Sequence, residues 1–178
     1  PDLSAFGKAM ANGYPISALA GKKEIIDTVE DKVFISSTYG GDLLAISAAI
    51  KTIEILKKKK VNKYILSLGK KLSDGLNKVM EQTSINGTCE GMPHKTFLVF
   101  RDTAGVSWKL IETIFRQECL TRGVFLGYGH FISFSHTEKD INSSLMVAEQ
   151  ACNIIKNAMK LGSLESLLKG KVAIDVFK

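Results

Sequence analysis

Apolar positions recur along this chain with two periods, and the changes of period mark out its elements. Leu3, Ala5 and Phe6 suit a short strand, Gly7 lets the backbone turn, and Gly13 and Pro15 punctuate the exit. Residues 16–21 form a short apolar run ending in glycine, which predicts a second strand. Ile25, Ile26 and Val29 have helical spacing and predict a short amphipathic helix over 22–29. Residues 33–36 predict another strand. From Asp42 to about Lys57 the apolar stripe Leu43, Ile46, Ile50, Ile53 is widened by Leu44, Ala45, Ala48 and Ala49. Such breadth predicts a helix touching more than one neighbour. Ile65, Leu68, Leu72, Leu76 and Val79 predict a helix over 62–82 with a lysine-rich outer face.

Residues 85–94 are dense in turn-forming types and lead into the strand Thr96–Phe100. Leu110, Ile111, Ile114, Phe115 and Leu120 predict a helix over 108–122, stopped by Gly123. Residues 124–126 and 131–134 read as two strands around the glycine-rich loop Gly127-Tyr128-Gly129-His130. Thr137-Glu138-Lys139-Asp140 is a capping-box pattern with Asp in place of Glu. It opens a helix over 138–161, apolar at Ile141, Leu145, Ala148, Cys152 and Ile155. The tail, 164–178, reads as a short helix followed by an extended 172–177.

Composition narrows the classes of partner. The 178 residues are enough for one domain or parts of two, and 45% hydrophobic with 24% charged residues is ordinary for a soluble globular protein. The surplus of 24 Lys and Arg over 18 acids, +6 in charge, favours phosphate-bearing or nucleic-acid partners in general. Here it is concentrated at Lys57-Lys58-Lys59-Lys60, Lys63, Lys70 and Lys71, with few aromatics between. That is a solvated helical face, so no nucleic-acid partner is expected. Cys89, Cys119 and Cys152 are odd in number and far apart, which points to a reducing, cytoplasmic setting. No apolar run could span a bilayer, so no membrane association is expected. The start has neither the charged nor the apolar region of a secretory signal and no initiator methionine. The chain is therefore expected to be cut from something longer.

Two stretches carry candidate chemistry. Lys8 follows a strand and a glycine, among Ala9, Met10 and Ala11, with no acid nearer than Asp2. Burial there would disfavour the ammonium form, and a neutral amine is what Schiff-base formation with a carbonyl requires. The alternative is a solvated, inert strand-end lysine. Ser36-Ser37-Thr38-Tyr39-Gly40-Gly41 offers hydroxyls, and its glycines would let backbone amides approach a ligand. The following helix start, with Asp42 as its N-cap, presents unpaired amides suited to a phosphate, although the Asp42 charge would oppose an anion beside it. A capped loop-to-helix junction without a ligand explains the same residues. No metal site is expected, because His130, His136 and Cys119 lack converging ligands. No serine sits in a nucleophile-elbow context. His136 simply precedes a helix cap, and His130 either borders a substrate pocket or is a surface turn histidine. His94 has no assigned role.

Asp2-Leu3-Ser4-Ala5-Phe6-Gly7-Lys8 followed by Asn12-Gly13-Tyr14-Pro15-Ile16-Ser17-Ala18 resembles the lysine segment of class III pyridoxal-phosphate-dependent aminotransferases, closest to the glutamate-1-semialdehyde aminomutase-like branch. The likeness continues through Ser36–Gly41, Gly123-Val124-Phe125-Leu126 and Ser135-His136-Thr137. It implies an α/β fold: the C-terminal part of a fold-type I transferase, comprising the end of the large cofactor domain and the small α+β C-terminal domain. Residues 1–57, including the linking helix, would belong to the former and 58–178 to the latter. By resemblance Lys8 carries pyridoxal 5'-phosphate as an internal aldimine. Thr38, with Ser37 as a weaker candidate, would reach the phosphate held by the partner subunit of a homodimer. The implied activity is an aminotransferase or aminomutase moving an amino group between a small-molecule donor and an aldehyde or keto acceptor through a 1,3-proton shift.

Where the aminomutase branch has Ser-Gly-Asn-Pro this chain has Gly40-Gly41-Asp42-Leu43, a departure that leans toward an aminotransferase of the sugar- or surface-polysaccharide-associated type. The family's acid for the pyridine nitrogen and its main phosphate loop lie upstream of the lysine. The chain is thus expected to be incomplete as a catalyst alone. The alternative is a non-catalytic remnant or split subunit acting only with a partner chain.

Overall fold

The β1 strand (Leu3–Phe6) pairs antiparallel with β2 (Ala18–Gly21), with Leu3 opposite Gly21 and Phe6 opposite Ala18. In this computed structural model, which describes residues 1–34 and 36–174, the chain divides into two compact units, Pro1–Val61 and Asn62–Lys178.

The first unit holds the β1–β2 ribbon, a 3-10 turn (Lys8–Met10), and the helices α1 (Lys23–Lys32) and α2 (Leu43–Lys58). Gly21 is required where it stands, since a Cβ there would lie 2.5 Å from the Asp2 carbonyl oxygen. Asp42 caps α2 as expected, its Oδ1 accepting from Leu44 N at 2.9 Å and Ala45 N at 3.2 Å. The helix buries Ala45 and Ala49, while Leu43 and Leu44 are 77% and 69% exposed, so the broad stripe finds little cover within this chain. The strand expected over 33–36 is not formed at Val33, Phe34 or Ser36, and Phe34 stands in the open; Ile35 lies outside the described residues.

The second unit sets an antiparallel sheet, in the order β3 (Gly87–Met92), β4 (Lys95–Phe100), β5 (His130–Phe131), against α3 (Val61–Thr83), α4 (Trp108–Thr121) and α5 (Glu138–Lys160). Leu68, Leu72, Leu76, Val79 and Met80 enter its core from α3. Ile111, Ile114, Phe115 and Cys119 enter from α4, and Ile141, Ala148, Ala151, Cys152 and Ile155 from α5. These are the helical spacings of the sequence, each apolar stripe now facing the others. The α5 capping box forms in both directions: Asp140 N donates to Thr137 Oγ1 at 3.3 Å and Thr137 N donates to Asp140 Oδ2 at 2.7 Å.

Three sequence expectations are corrected here. Gly87–Met92 is a strand, not a string of turns, and Pro93-His94 alone make the hairpin to β4. Residues 124–126 form no strand; Val124 N donates to Cys119 O at 3.0 Å, and the segment closes the end of α4 while Leu126 drops into the core. Of the second expected strand, 131–134, only Phe131 pairs with β4, opposite Lys95; His130, expected in the loop, joins it opposite Thr96. In the tail, Leu164–Leu167 is a 3-10 turn anchored by buried Leu164. Residues 172–174 form no regular element, and 175–177 lie outside the described residues.

Candidate active site

Lys8 opens the turn after β1. Gly7 is extended there, with φ −170°, but Lys8 itself has φ +49°. A left-handed conformation costs an L-residue with a Cβ roughly 1–2 kcal/mol. The turn is closed by Met10 N donating to Gly7 O at 3.1 Å and Asn12 N to Ala9 O at 3.3 Å; Asn12 and Gly13 also have positive φ, 50° and 116°. Ala11 anchors the turn at 1% exposure. Lys8 and Ala9 are exposed, so the burial expected to neutralise the amine is not supplied within this chain. Asp2, the nearest acid in sequence, pairs instead with Lys22, Nζ to Oδ1 2.7 Å. Nothing in the sequence signals the left-handed backbone, because lysine has no preference for it.

Ser37 and Thr38 are exposed at a tight turn in which Gly40 N donates to Ser37 O at 3.4 Å and Asp42 N to Tyr39 O at 3.2 Å. Among the described residues neither hydroxyl has a hydrogen-bond partner, and no hydrogen bond joins this turn to Lys8. The helix start behind it is less open than expected. Asp42 occupies the amides of Leu44 and Ala45 and adds its own negative charge.

These groups fit part of pyridoxal phosphate. An exposed amine suits its aldehyde, and free hydroxyls on a glycine turn suit its phosphate. No carboxylate among the described residues pairs with Lys8.

The histidines separate clearly. His136 accepts from Ser133 N at 3.0 Å through Nδ1, and its carbonyl accepts from the Tyr64 hydroxyl at 2.9 Å, so it braces the entry to α5. His130 is not a surface turn residue: it lies on β5, 6% exposed, its Nδ1 3.1 Å from Thr96 Oγ1. Burial, with the Arg116 charge adding to it, pushes its pKa below the ordinary imidazole value. Sequence reading also missed the Arg116 guanidinium, stacked 3.6 Å over the Tyr128 ring and paired with Glu112 at 2.7 Å. That contact ties the glycine-rich loop to α4. Cys119 and Cys152 are buried free thiols pushed up to about 12 by desolvation, and are inert in that form. Among the described residues no helix is long and apolar enough to cross a membrane.

Residues 1–99 match the family model described as aminotransferase class-III. The chain is 36% identical over 162 residues to a 3-aminobutyryl-CoA aminotransferase of Cloacimonas acidaminovorans (strain Evry), an alignment covering 89% of this chain and 39% of that protein. It is 32% identical over 173 residues to a glutamate-1-semialdehyde 2,1-aminomutase of Nitrosopumilus maritimus (strain SCM1), covering 88% and 41%. The chain thus spans about two fifths of the length of these curated relatives. Among solved structures, the PLP internal aldimine form of the FumI protein of Sphingopyxis sp. MTA144 superposes with TM-score 0.76 at 24% identity, over 94% of this chain and 40% of that one. An omega-transaminase from Sphaerobacter thermophilus superposes with TM-score 0.71 at 16% identity, over 85% and 38%. The fold is that of the C-terminal part of a fold-type I transferase.

Proposed function

The chain belongs to the class-III aminotransferase family, and we propose that it is the C-terminal part of a pyridoxal-phosphate-dependent aminotransferase or aminomutase in which Lys8 is the catalytic lysine. The observation that carries the assignment is the backbone of Lys8. A lysine held at φ +49° directly after β1 accepts a conformational cost, and such outliers gather at functional sites.

Lys8 Nζ would hold pyridoxal phosphate through its aldehyde carbon and would serve as the general base that moves the proton of the 1,3-shift. When bound, the cofactor supplies the electron sink for the carbanion. Thr38 donates its hydroxyl to a phosphate oxygen of the partner subunit's cofactor in a homodimer, with Ser37 beside it. Residues 1–57 are the end of the cofactor domain and 58–178 the small domain. Substrates are a small-molecule amino donor and an aldehyde or keto acceptor. Buried, free cysteines support a reducing, cytoplasmic setting.

Borohydride reduction of the complete, cofactor-loaded protein followed by peptide mapping tests the assignment. A phosphopyridoxyl group on Lys8 is expected; modification confined to another lysine refutes it. A second reading, a non-catalytic or split subunit that acts only with a partner chain, is supported by the exposure of Lys8, which no neighbour in this chain buries. Robust turnover by the 178-residue chain alone, lost in Lys8→Ala, would remove that reading.

A further inference from the structure

The chain holds two Asn-Gly pairs, Asn12-Gly13 in the turn after Lys8 and Asn86-Gly87 at the start of β3. Both asparagines are exposed, so access does not separate them. Their surroundings do. Asn86 is held at three atoms: its Nδ2 donates to Asp102 O at 3.1 Å, its N–H donates to Thr103 Oγ1 at 3.1 Å, and its carbonyl accepts from Arg101 N at 2.7 Å. Gly87 lies in the ladder opposite Phe100, and a Cβ there would come within 3.2 Å of Val99 O. At Asn12 the side-chain amide has no hydrogen-bond partner among the described residues, and Gly13 N donates to no backbone carbonyl. A Cβ on Gly13, whose φ is +116°, would meet nothing within 4 Å. One hydrogen bond spans this pair, Tyr14 N to Ala11 O at 3.3 Å, beyond the usual range for an N–H donor.

From this contrast we infer that Asn12 is a site of self-modification: in the folded chain it loses its side-chain amide to water faster than Asn86 does, and becomes aspartate or β-linked isoaspartate. The reaction needs only its neighbour and a water molecule. The Gly13 nitrogen gives its proton to solvent and attacks Asn12 Cγ; the N–Cγ bond forms, the Cγ–Nδ2 bond breaks, and Nδ2 takes up a proton and leaves as ammonia. Water then opens the resulting cyclic imide at either carbonyl. The balance is one water in and one ammonia out, with no change of oxidation state. Glycine matters at the attacking position because no Cβ shields its nitrogen and because it lets the peptide rotate into the geometry of attack. Neither packing nor a strand ladder opposes that rotation at Gly13, whereas at Asn86 the local structure must open first. The consequence falls on the turn that presents Lys8. A carboxylate appears four residues from the lysine, whose nearest acid in sequence, Asp2, is paired with Lys22. Isoaspartate also adds a carbon to the main chain within the turn that Ala11 anchors.

The test reads mass and not turnover. The full 178-residue chain is aged in mildly alkaline buffer, where the Gly13 amide gives up its proton more readily, and is sampled by peptide mapping with the released ammonia measured alongside. A gain of one mass unit in the Asn12 peptide, accompanied by ammonia and absent in Asn12→Gln, is expected. Asn86 should lag roughly tenfold or more, since its hydrogen bonds must open before the same attack. In strong denaturant the two rates should converge, because both pairs are then the same dipeptide in an open chain. Asn86 reacting as fast as Asn12 in the folded chain would overturn the inference. So would a lead for Asn12 that persists unchanged in denaturant, or no mass gain at Asn12. Both asparagines report from the same molecules, so the comparison decides the matter even if Asn12→Gln fails to fold.

Discussion

Gly69 of α3 and Pro93 of the β3–β4 hairpin meet backbone to backbone: a Cβ on Gly69 would overlap the carbonyl carbon and oxygen of Pro93. Neither group can step aside as a side chain would. Alanine is the better helix former by about 1 kcal/mol, yet overpacking here should cost roughly 1–3 kcal/mol. Gly69→Ala is therefore expected to lower the denaturation midpoint. Gly75→Ala, whose Cβ would meet only the end of the Leu145 side chain, should do so less. Denaturant titration of both variants checks the order; a more stable Gly69→Ala would show that the hairpin gives way freely.

Lys8 gives a second test, of backbone conformation separately from chemistry. At φ +49° a Cβ is a burden, so Lys8→Gly should exceed Lys8→Ala in stability by roughly 1 kcal/mol although both lose the amine. Equal stabilities would mean that the residue is not held in the left-handed region.

Thr38 is expected to act on cofactor retention and not on folding, because its hydroxyl is exposed and has no partner among the described residues. A hydrogen bond to a charged phosphate contributes about 1.5–3 kcal/mol, so Thr38→Ala should weaken pyridoxal phosphate binding roughly 10- to 100-fold in the complete protein. Unchanged affinity there would take Thr38 out of the site.

His130 predicts a pH dependence of stability. Its folded pKa lies below the unfolded value near ~6.5 because burial, first, and Arg116, second, disfavour the imidazolium. The unfolded chain then binds more protons in the window below that value. The contribution is fully present above about pH 6.5 and is lost as pH falls toward the folded pKa. His136 and the Asp140 carboxylate line the same cleft as His130, and Arg116 bears on His130 from α4, so the comparison must hold them constant. His130→Phe should flatten the stability curve between neutral and mildly acid pH, and an unchanged slope would assign it to other groups.

The helices were legible because each carries one apolar stripe at 3.6 spacing and its own punctuation: Asp42 and the Thr137–Asp140 box start their helices where the sequence says. Strands were harder. Gly87-Thr88-Cys89-Glu90-Gly91-Met92 contains two glycines and reads as turn, yet pairs along its length because β4 supplies the register. Val124-Phe125-Leu126 reads as strand from composition, but its backbone is spent closing α4. The same division holds at the site. Lys8, Ser37 and Thr38 are proposed from residue types in order and from the family resemblance, whereas a backbone angle at Lys8 and the buried, unpaired Nε2 of His130 have no signature in composition.

The angle at Lys8 also bears on descent. Glycine and asparagine take up the left-handed conformation far more readily than lysine does, so the backbone at this position favours the loss of the amine it presents. A lineage that stopped using the amine would be released toward glycine or asparagine here with no penalty in folding. A copy that keeps lysine at φ +49° is paying for it in every generation.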